Sequence, residues 1–272
     1  MSQHPTMTDP TALARNRKRV KEDALFLHAV VADEVEDRMA LVNKPFTSTA
    51  LVTGFADFWA ARFPSAEVVA DDETLPLEVG QYDLALNLMG LHWANDPIGQ
   101  LIQCRRALKP DGLFIGATLG GQTLHELRAC LAEAEARVSG GLSPRIAPMG
   151  ELRDLGGLLQ RAGFALPVAD SVPLTVTYAD SWALMRDLRS MGETNALSHR
   201  LRRPTRRAVF EQAAQLYQAN FAHGSDRIKA TFELVFLTGW APDESQPKPL
   251  RPGSAQQRLA DALGAVETKL PD

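Results

Sequence analysis

Residues 82–93 read Tyr-Asp-Leu-Ala-Leu-Asn-Leu-Met-Gly-Leu-His-Trp, and this stretch decides the fold. Its apolar run is nearly continuous, which suits a parallel strand covered on both faces. Pro97 opens a helix at the first turn, where its missing N–H costs nothing. Residues 97–108 carry Ile98, Leu101, Ile102 and Leu108 on the buried side. Lys109-Pro-Asp-Gly112 then reads as a turn, and Leu113-Phe-Ile-Gly-Ala-Thr118 as the next strand.

Working outward, Ala50-Leu-Val-Thr-Gly54 and Glu67-Val-Val-Ala-Asp71 read as strands around a short helix over 55–63. Leu25, Leu27, Val30, Val31, Val35 and Met39 recur near a 3.6 period, which places a helix over 17–42. Residues 1–16 read as a disordered lead. Downstream, helices are expected over 122–138, 150–162, 180–191 and 205–221, with strand segments at 165–169 and 172–178. Thr231–Trp240 reads as a last strand, placed antiparallel at an edge. Strands alternating with helices argue for an α/β parallel sheet with helices on both faces. The expected organisation is one domain over 17–258, a helical insertion at about 180–225, and a tail over 259–272.

Composition narrows the function classes. The 272 residues are 45% hydrophobic and 23% charged, so a wholly disordered chain or a fibrous rod is excluded. Two cysteines, Cys104 and Cys130, do not make a disulfide scaffold and point to a reducing compartment. A net charge of −4 argues against a mainly electrostatic nucleic-acid binder. No apolar run reaches the roughly 18 residues of a membrane span. The polar first ten residues lack a signal-peptide core. The expectation is a soluble cytoplasmic protein.

The 82–93 stretch resembles the fourth-strand signature of class I S-adenosylmethionine (SAM) dependent methyltransferases. Leu108-Lys-Pro-Asp-Gly-Leu-Phe-Ile115 is similar to the turn and fifth strand that follow it there, and Asp71-Asp-Glu-Thr-Leu-Pro76 to an acidic loop beside the adenine. Further segments are more distinctive: Gly120-Gly-Gln-Thr-Leu-His-Glu-Leu-Arg128, Gly141-Leu-Ser-Pro-Arg-Ile-Ala-Pro148, Asp154–Phe164 and Asp187-Leu-Arg-Ser-Met-Gly-Glu-Thr-Asn195. These resemble the mitochondrial complex I assembly factors of the methyltransferase fold and their bacterial relatives. The malonyl O-methyltransferases acting on a carrier protein are a neighbouring group. The resemblance implies a Rossmann-like sheet, SAM as cofactor, and modification of an arginine on an iron–sulfur subunit. It also implies a place in the bacterial cytosol or on the mitochondrial matrix side. Cofactor contacts would fall to Gly54, Asp71, Asp72, Asn87, Leu88 and His92.

Two departures bear on that cofactor. The superfamily's first turn has the form Asp-x-Gly-x-Gly-x-Gly, whose glycines let backbone approach the ligand. Here only Gly54 remains, and Phe55 sits where the turn should be open. Gly54 and Tyr82 are 28 positions apart, room for about one βαβ unit of roughly 30 residues, not two. One strand–helix unit is therefore expected to be missing. Glu67–Leu77 matches the third strand and its loop, and the acidic residue that ends the second strand has no counterpart. A degraded SAM turn follows as an expectation. A non-catalytic assembly chaperone that keeps the fold is the alternative function.

Catalytic candidates are His92, Glu126 and Glu193. His92 lies at the sheet mouth, where it is either a ligand contact or a packed histidine. Glu126 follows the Gly120-Gly121 break, and its bland reading is a surface ion pair. Glu193 is either a loop carboxylate or part of a helix cap built on Gly192. No histidine spacing suggests a metal site, and the thiols read as packed. Arg15, Arg17, Lys18, Arg19 and Lys21 read as a solvated helix face. Arg200, Arg202, Arg203, Arg206 and Arg207 read as a solvated face or a docking patch for an acidic partner.

Overall fold

The computed structural model describes residues 6–247. In chain order the elements are α1 (Pro10–Arg17), α2 (Phe26–Ala40), β1 (Thr49–Val52), α3 (Ala56–Arg62), β2 (Glu67–Val69) and β3 (Tyr82–Leu88). Then come α4 (Pro97–Ala107), β4 (Leu108–Leu119), α5 (His125–Ser139), α6 (Leu152–Arg161), β5 (Ala165–Tyr178), α7 (Ser181–Ser190), α8 (Arg207–Phe221), β6 (Ala222–His223) and β7 (Arg227–Trp240). The sheet order is β2-β1-β3-β4-β7-β5, with β6 against β7. The strands from β2 to β4 are parallel, and β7 is antiparallel to both of its neighbours.

β3 sits at the centre, as its apolar run requires. Leu84, Leu86 and Leu88 pack towards Val31 and Val35 of α2 and Leu127 of α5. Ala85 faces the opposite core with Phe114, Leu101 of α4 and Leu159 of α6. Helices therefore cover both faces. Only α3 and β2 lie between β1 and β3, so the shortage read from the spacing is real. β2 pairs directly with β1, though, so Asp71 ends the strand adjacent to β1. The strand lacking among the described residues is the outer one beyond β2.

The structure corrects four expectations. Residues 10–17 are helical rather than a disordered lead: Asp9 accepts from the Ala12 N–H at 3.1 Å, and Pro10 fits the first turn. The helix expected over 17–42 is broken, because the Lys21 N–H donates to the Ser190 carbonyl at 2.9 Å before α2 starts. Thr231–Trp240 is not an edge strand. Leu234 to Leu237 are all completely buried, and the edge falls to β5, where Val168 is 56% exposed. The segments 165–169 and 172–178 are one strand, held by its pairing with β7.

Among the described residues, those up to Pro242 form one compact unit, and Asp243–Pro247 belong to a second, in which the Ser245 N–H and hydroxyl donate to Asp243. The expected tail over 259–272 lies outside the described residues. No helix among the described residues is long and apolar enough to cross a membrane.

Candidate functional site

Parallel strands bring their C-terminal ends to one edge of the sheet, where open α/β folds place ligands. Gly54 follows β1, Asp71 follows β2, and the 3-10 turn Leu91–Trp93 follows β3. The chain turns sharply after β3 because Met89 adopts φ 58°, a left-handed conformation rare for a side-chain-bearing residue. Its N–H donates to the Ala117 carbonyl at 2.8 Å. Gly90 then lets the Asp71 carboxylate close in: a Cβ there would lie 2.5 Å from Oδ2.

Arg17, at the end of α1, reaches into this edge. Nη1 and Nη2 donate to Oδ1 and Oδ2 of Asp71, both at 2.7 Å, in the paired geometry that a planar guanidinium makes with a carboxylate. The side chains are 15% and 8% exposed. The guanidinium stands directly over Gly54, where a Cβ would meet Cζ and Nη1 at 2.1 Å. Its carbon is 5.3 Å from the Phe55 ring centre. The Phe55 ring is buried against His28, with centroids 4.3 Å apart. Thus Arg17, rather than Phe55, fills the space above the turn.

Next to this pair lies a second one. His92 Nε2 is 3.2 Å from Glu193 Oε2, and the Trp93 indole N–H donates to the same oxygen at 2.8 Å. A carboxylate only accepts, so Nε2 carries a hydrogen, and Nδ1 faces the Thr118 hydroxyl at 3.4 Å. Burial pushes the Glu193 carboxyl up, but the pull of His92, the Trp93 donor and the Arg17 charge together hold it below its ordinary range. Gly192, at φ 83°, ends α7, and the Glu193 N–H bonds back to the Leu188 carbonyl at 2.9 Å. The Glu193 backbone caps α7 while its side chain turns towards His92 and Trp93.

The pair separates two spaces. Glu193 and Trp93 border a cavity of about 330 Å³ walled by Leu27, Leu127, Met185, Leu188 and Phe232. His92 and Thr118 border a cleft of about 590 Å³ on the other side, lined by Pro148, Arg153 and Leu158. A buried imidazole held by a carboxylate can take up and release a proton between such spaces.

Residues 38–116 match the model of a methyltransferase domain. The chain is 41% identical over 201 residues to the mitochondrial arginine-hydroxylase NDUFAF5 of Danio rerio, covering 73% of this chain and 61% of that one. Against the human protein of the same name the identity is 39%, covering 77% and 60%. The malonyl-[acyl-carrier protein] O-methyltransferase of Laribacter hongkongensis is 37% identical, covering 67% and 58%. The chain carries a methyltransferase domain over residues 38–116. It spans about 60% of the length of these relatives.

Against the superfamily's cofactor-site pattern, the expected contacts divide. Gly54, Asp71 and His92 meet at the strand ends. Asp72 contributes its backbone: Gln100 Nε2 donates to the carbonyls of Asp71 and Asp72 at 2.9 and 3.0 Å. Asn87 donates to Gln100 at 3.4 Å, so it braces that loop from below. The Leu88 side chain lies wholly in the core and offers a ligand nothing. With Arg17 in place, the residues do not fit a SAM molecule lying against Gly54. Glu126 is not brought to His92 and Glu193. Its oxygens accept from the Thr231 hydroxyl at 2.6 Å and N–H at 3.2 Å, tying α5 to β7. Arg145 clamps Glu135 of its own chain. In the second basic cluster Arg200 and Arg202 pair with Asp9, and Arg207 with Glu211.

Arg17 and His28 are the participants that sequence reasoning missed. Nothing near either residue signals them, because their partners lie 54 and 31 positions away. Among the described residues, no group of three His, Cys, Asp or Glu side chains is placed to hold a metal ion.

Proposed function

We propose that this methyltransferase-superfamily chain modifies an arginine of a protein client, an iron–sulfur subunit of respiratory complex I, during assembly in the cytosol or on the matrix side. The observation that carries the reading is the buried His92–Glu193 pair set between two cavities at the strand ends. The likeness to proteins named arginine-hydroxylases supplies the substrate class. In this reading His92 exchanges a proton, Glu193 and Thr118 orient its ring, and the apolar cavity receives the client's neighbouring side chains. No step is routed through SAM, because Arg17 stands over Gly54 and ordinary cofactor binding is taken as lost.

The test is co-expression with the client subunit, followed by mass spectrometry of its arginines. One arginine should gain an oxygen atom with the wild-type chain, one atom of dioxygen being inserted and the other leaving as water at the expense of a two-electron cellular reductant, and remain unmodified with His92→Ala or Glu193→Gln. An unmodified arginine alongside the wild-type chain overturns the reading. The occupied space over Gly54 favours a second reading, a non-catalytic assembly chaperone. In that case client and chain co-purify and His92→Ala changes nothing.

A further inference from the structure

The Arg17 guanidinium is seated like a ligand. Asp71 grips both of its terminal nitrogens, Phe55 lies beside it, and Gly54 and Gly90 leave no side chain between guanidinium, carboxylate and backbone. The carboxylate is held in place from behind, since Gln100 fixes the carbonyls of residues 71 and 72. Such a planar slot ending in a carboxylate selects a guanidinium over an ammonium, which has no matching fork. Arg17 Nε has no hydrogen-bond partner, so the contact is made at the tip of the side chain and not along it.

The element that delivers Arg17 has a small buried face of its own. α1 buries only Ala12 and Asn16. Its polar ties are Asn16 Nδ2 to the Thr194 carbonyl at 2.8 Å, Asp9 to Arg200 at 2.9 Å and the Asp9 N–H to the Ala196 carbonyl at 2.8 Å, with Thr8 bridged to Leu197 just before the helix. Withdrawing Arg17 would leave the buried Asp71 carboxylate without its cation. An incoming group must therefore carry positive charge.

We infer that the slot formed by Gly54, Phe55, Asp71 and Gly90 is a binding site for the client's arginine, and that Arg17 occupies it in cis as an internal substitute. This rests on the arginine reading given under Proposed function. The client arginine displaces the Arg17 side chain, which loosens the end of α1, and its guanidinium lies on Asp71 next to the His92–Glu193 pair. The slot is thus both a recognition site and its own lock.

The test uses the full chain as wild type, as Arg17→Ala, and as Arg17→Ala with Asp71→Asn. The probes are ethylguanidinium, ethylammonium, and arginine blocked at both ends as the acetyl amide. Millimolar ethylguanidinium should raise the melting temperature of Arg17→Ala by several degrees, ethylammonium should do so less, and the double variant should not respond. The blocked arginine should bind Arg17→Ala at least tenfold more tightly than wild type. In the wild type it should speed hydrogen exchange of the α1 amides, a readout that stands even if Arg17→Ala does not fold. The inference is overturned if ethylguanidinium leaves Arg17→Ala unchanged, or if rescue survives Asp71→Asn. It also fails if SAM, and not ethylguanidinium, stabilises Arg17→Ala, which would make the slot a cofactor cradle. If the blocked arginine needs Glu193 and not Asp71, this site is wrong while the arginine reading stands. If the slot binds guanidinium but no client arginine is modified, the site stands and the arginine reading fails.

Discussion

His28 accepts the Trp59 indole N–H on Nδ1 at 3.1 Å and is 3% exposed. Burial, the largest influence, pushes its pKa from 6.5 down to about 4, against the opposing pull of Glu193. Between pH 6.5 and 4 the unfolded chain therefore takes up a proton that the folded chain refuses. This stability is fully present above pH 6.5 and is lost as pH falls through that window, about 3 kcal/mol in all. Denaturant titrations at pH 7 and pH 4.5 should show that loss, and His28→Asn should flatten the slope. Burial likewise raises the Cys104 thiol to about 12 and the Cys130 thiol to about 11. Neither should react with a thiol reagent at pH 8 until the chain is unfolded, since the thiolate is the reactive form. Glu193→Ala should cost about 3 kcal/mol, because it leaves Trp93 and His92 without the charged partner that buries them. Local sequence pointed to His92 and Glu193 through strand-end and loop position. It said nothing of their meeting, since 101 residues separate them.

At the scale of elements, α5 and β7 are joined by a buried carboxylate. Glu126 is wholly buried and accepts both hydrogens that Thr231 can donate. Glu126→Ala should lower stability by about 1–2 kcal/mol, because the half-buried Thr231 N–H and hydroxyl lose a charged partner. Fluorescence-monitored denaturation would measure this, and a modified client arginine in the same variant would separate a structural role from a catalytic one. α1 shows where pattern reading fails. Its basic residues look alike in sequence, yet Arg17 turns inward while its neighbours remain on the surface, because only Arg17 lines up with the free carboxylate after β2. Helical period locates a face; it does not say which cation on that face finds a buried partner.

At the scale of the whole molecule, the last strand closes the sheet over the first long helix. Phe236 of β7 is completely buried, and the Arg38 guanidinium of α2 lies 3.8 Å from its ring centre while pairing with Asp170 of β5. Phe236→Ala should cost about 3–5 kcal/mol by opening a cavity, a large part of the 5–15 kcal/mol typical of a domain. A guanidinium chloride melt would show a lower midpoint and one transition. The parallel core of β1, β3 and β4 was legible because strands buried on both faces must be apolar throughout, and the run at 84–89 could be nothing else. The missing strand–helix unit was legible by counting, since a crossover needs a minimum length of chain. By itself the sequence determined the fold class, the strand that bears the site and the shortage beside it, all of which are local pattern or chain length. The position of β7 inside the sheet, the closure of Gly54 by Arg17 and the His92–Glu193 pair were decided only by the tertiary structure. Each joins residues far apart in the chain, and what joins them is buried charge and burial on two faces, which exist only once the chain has closed around them.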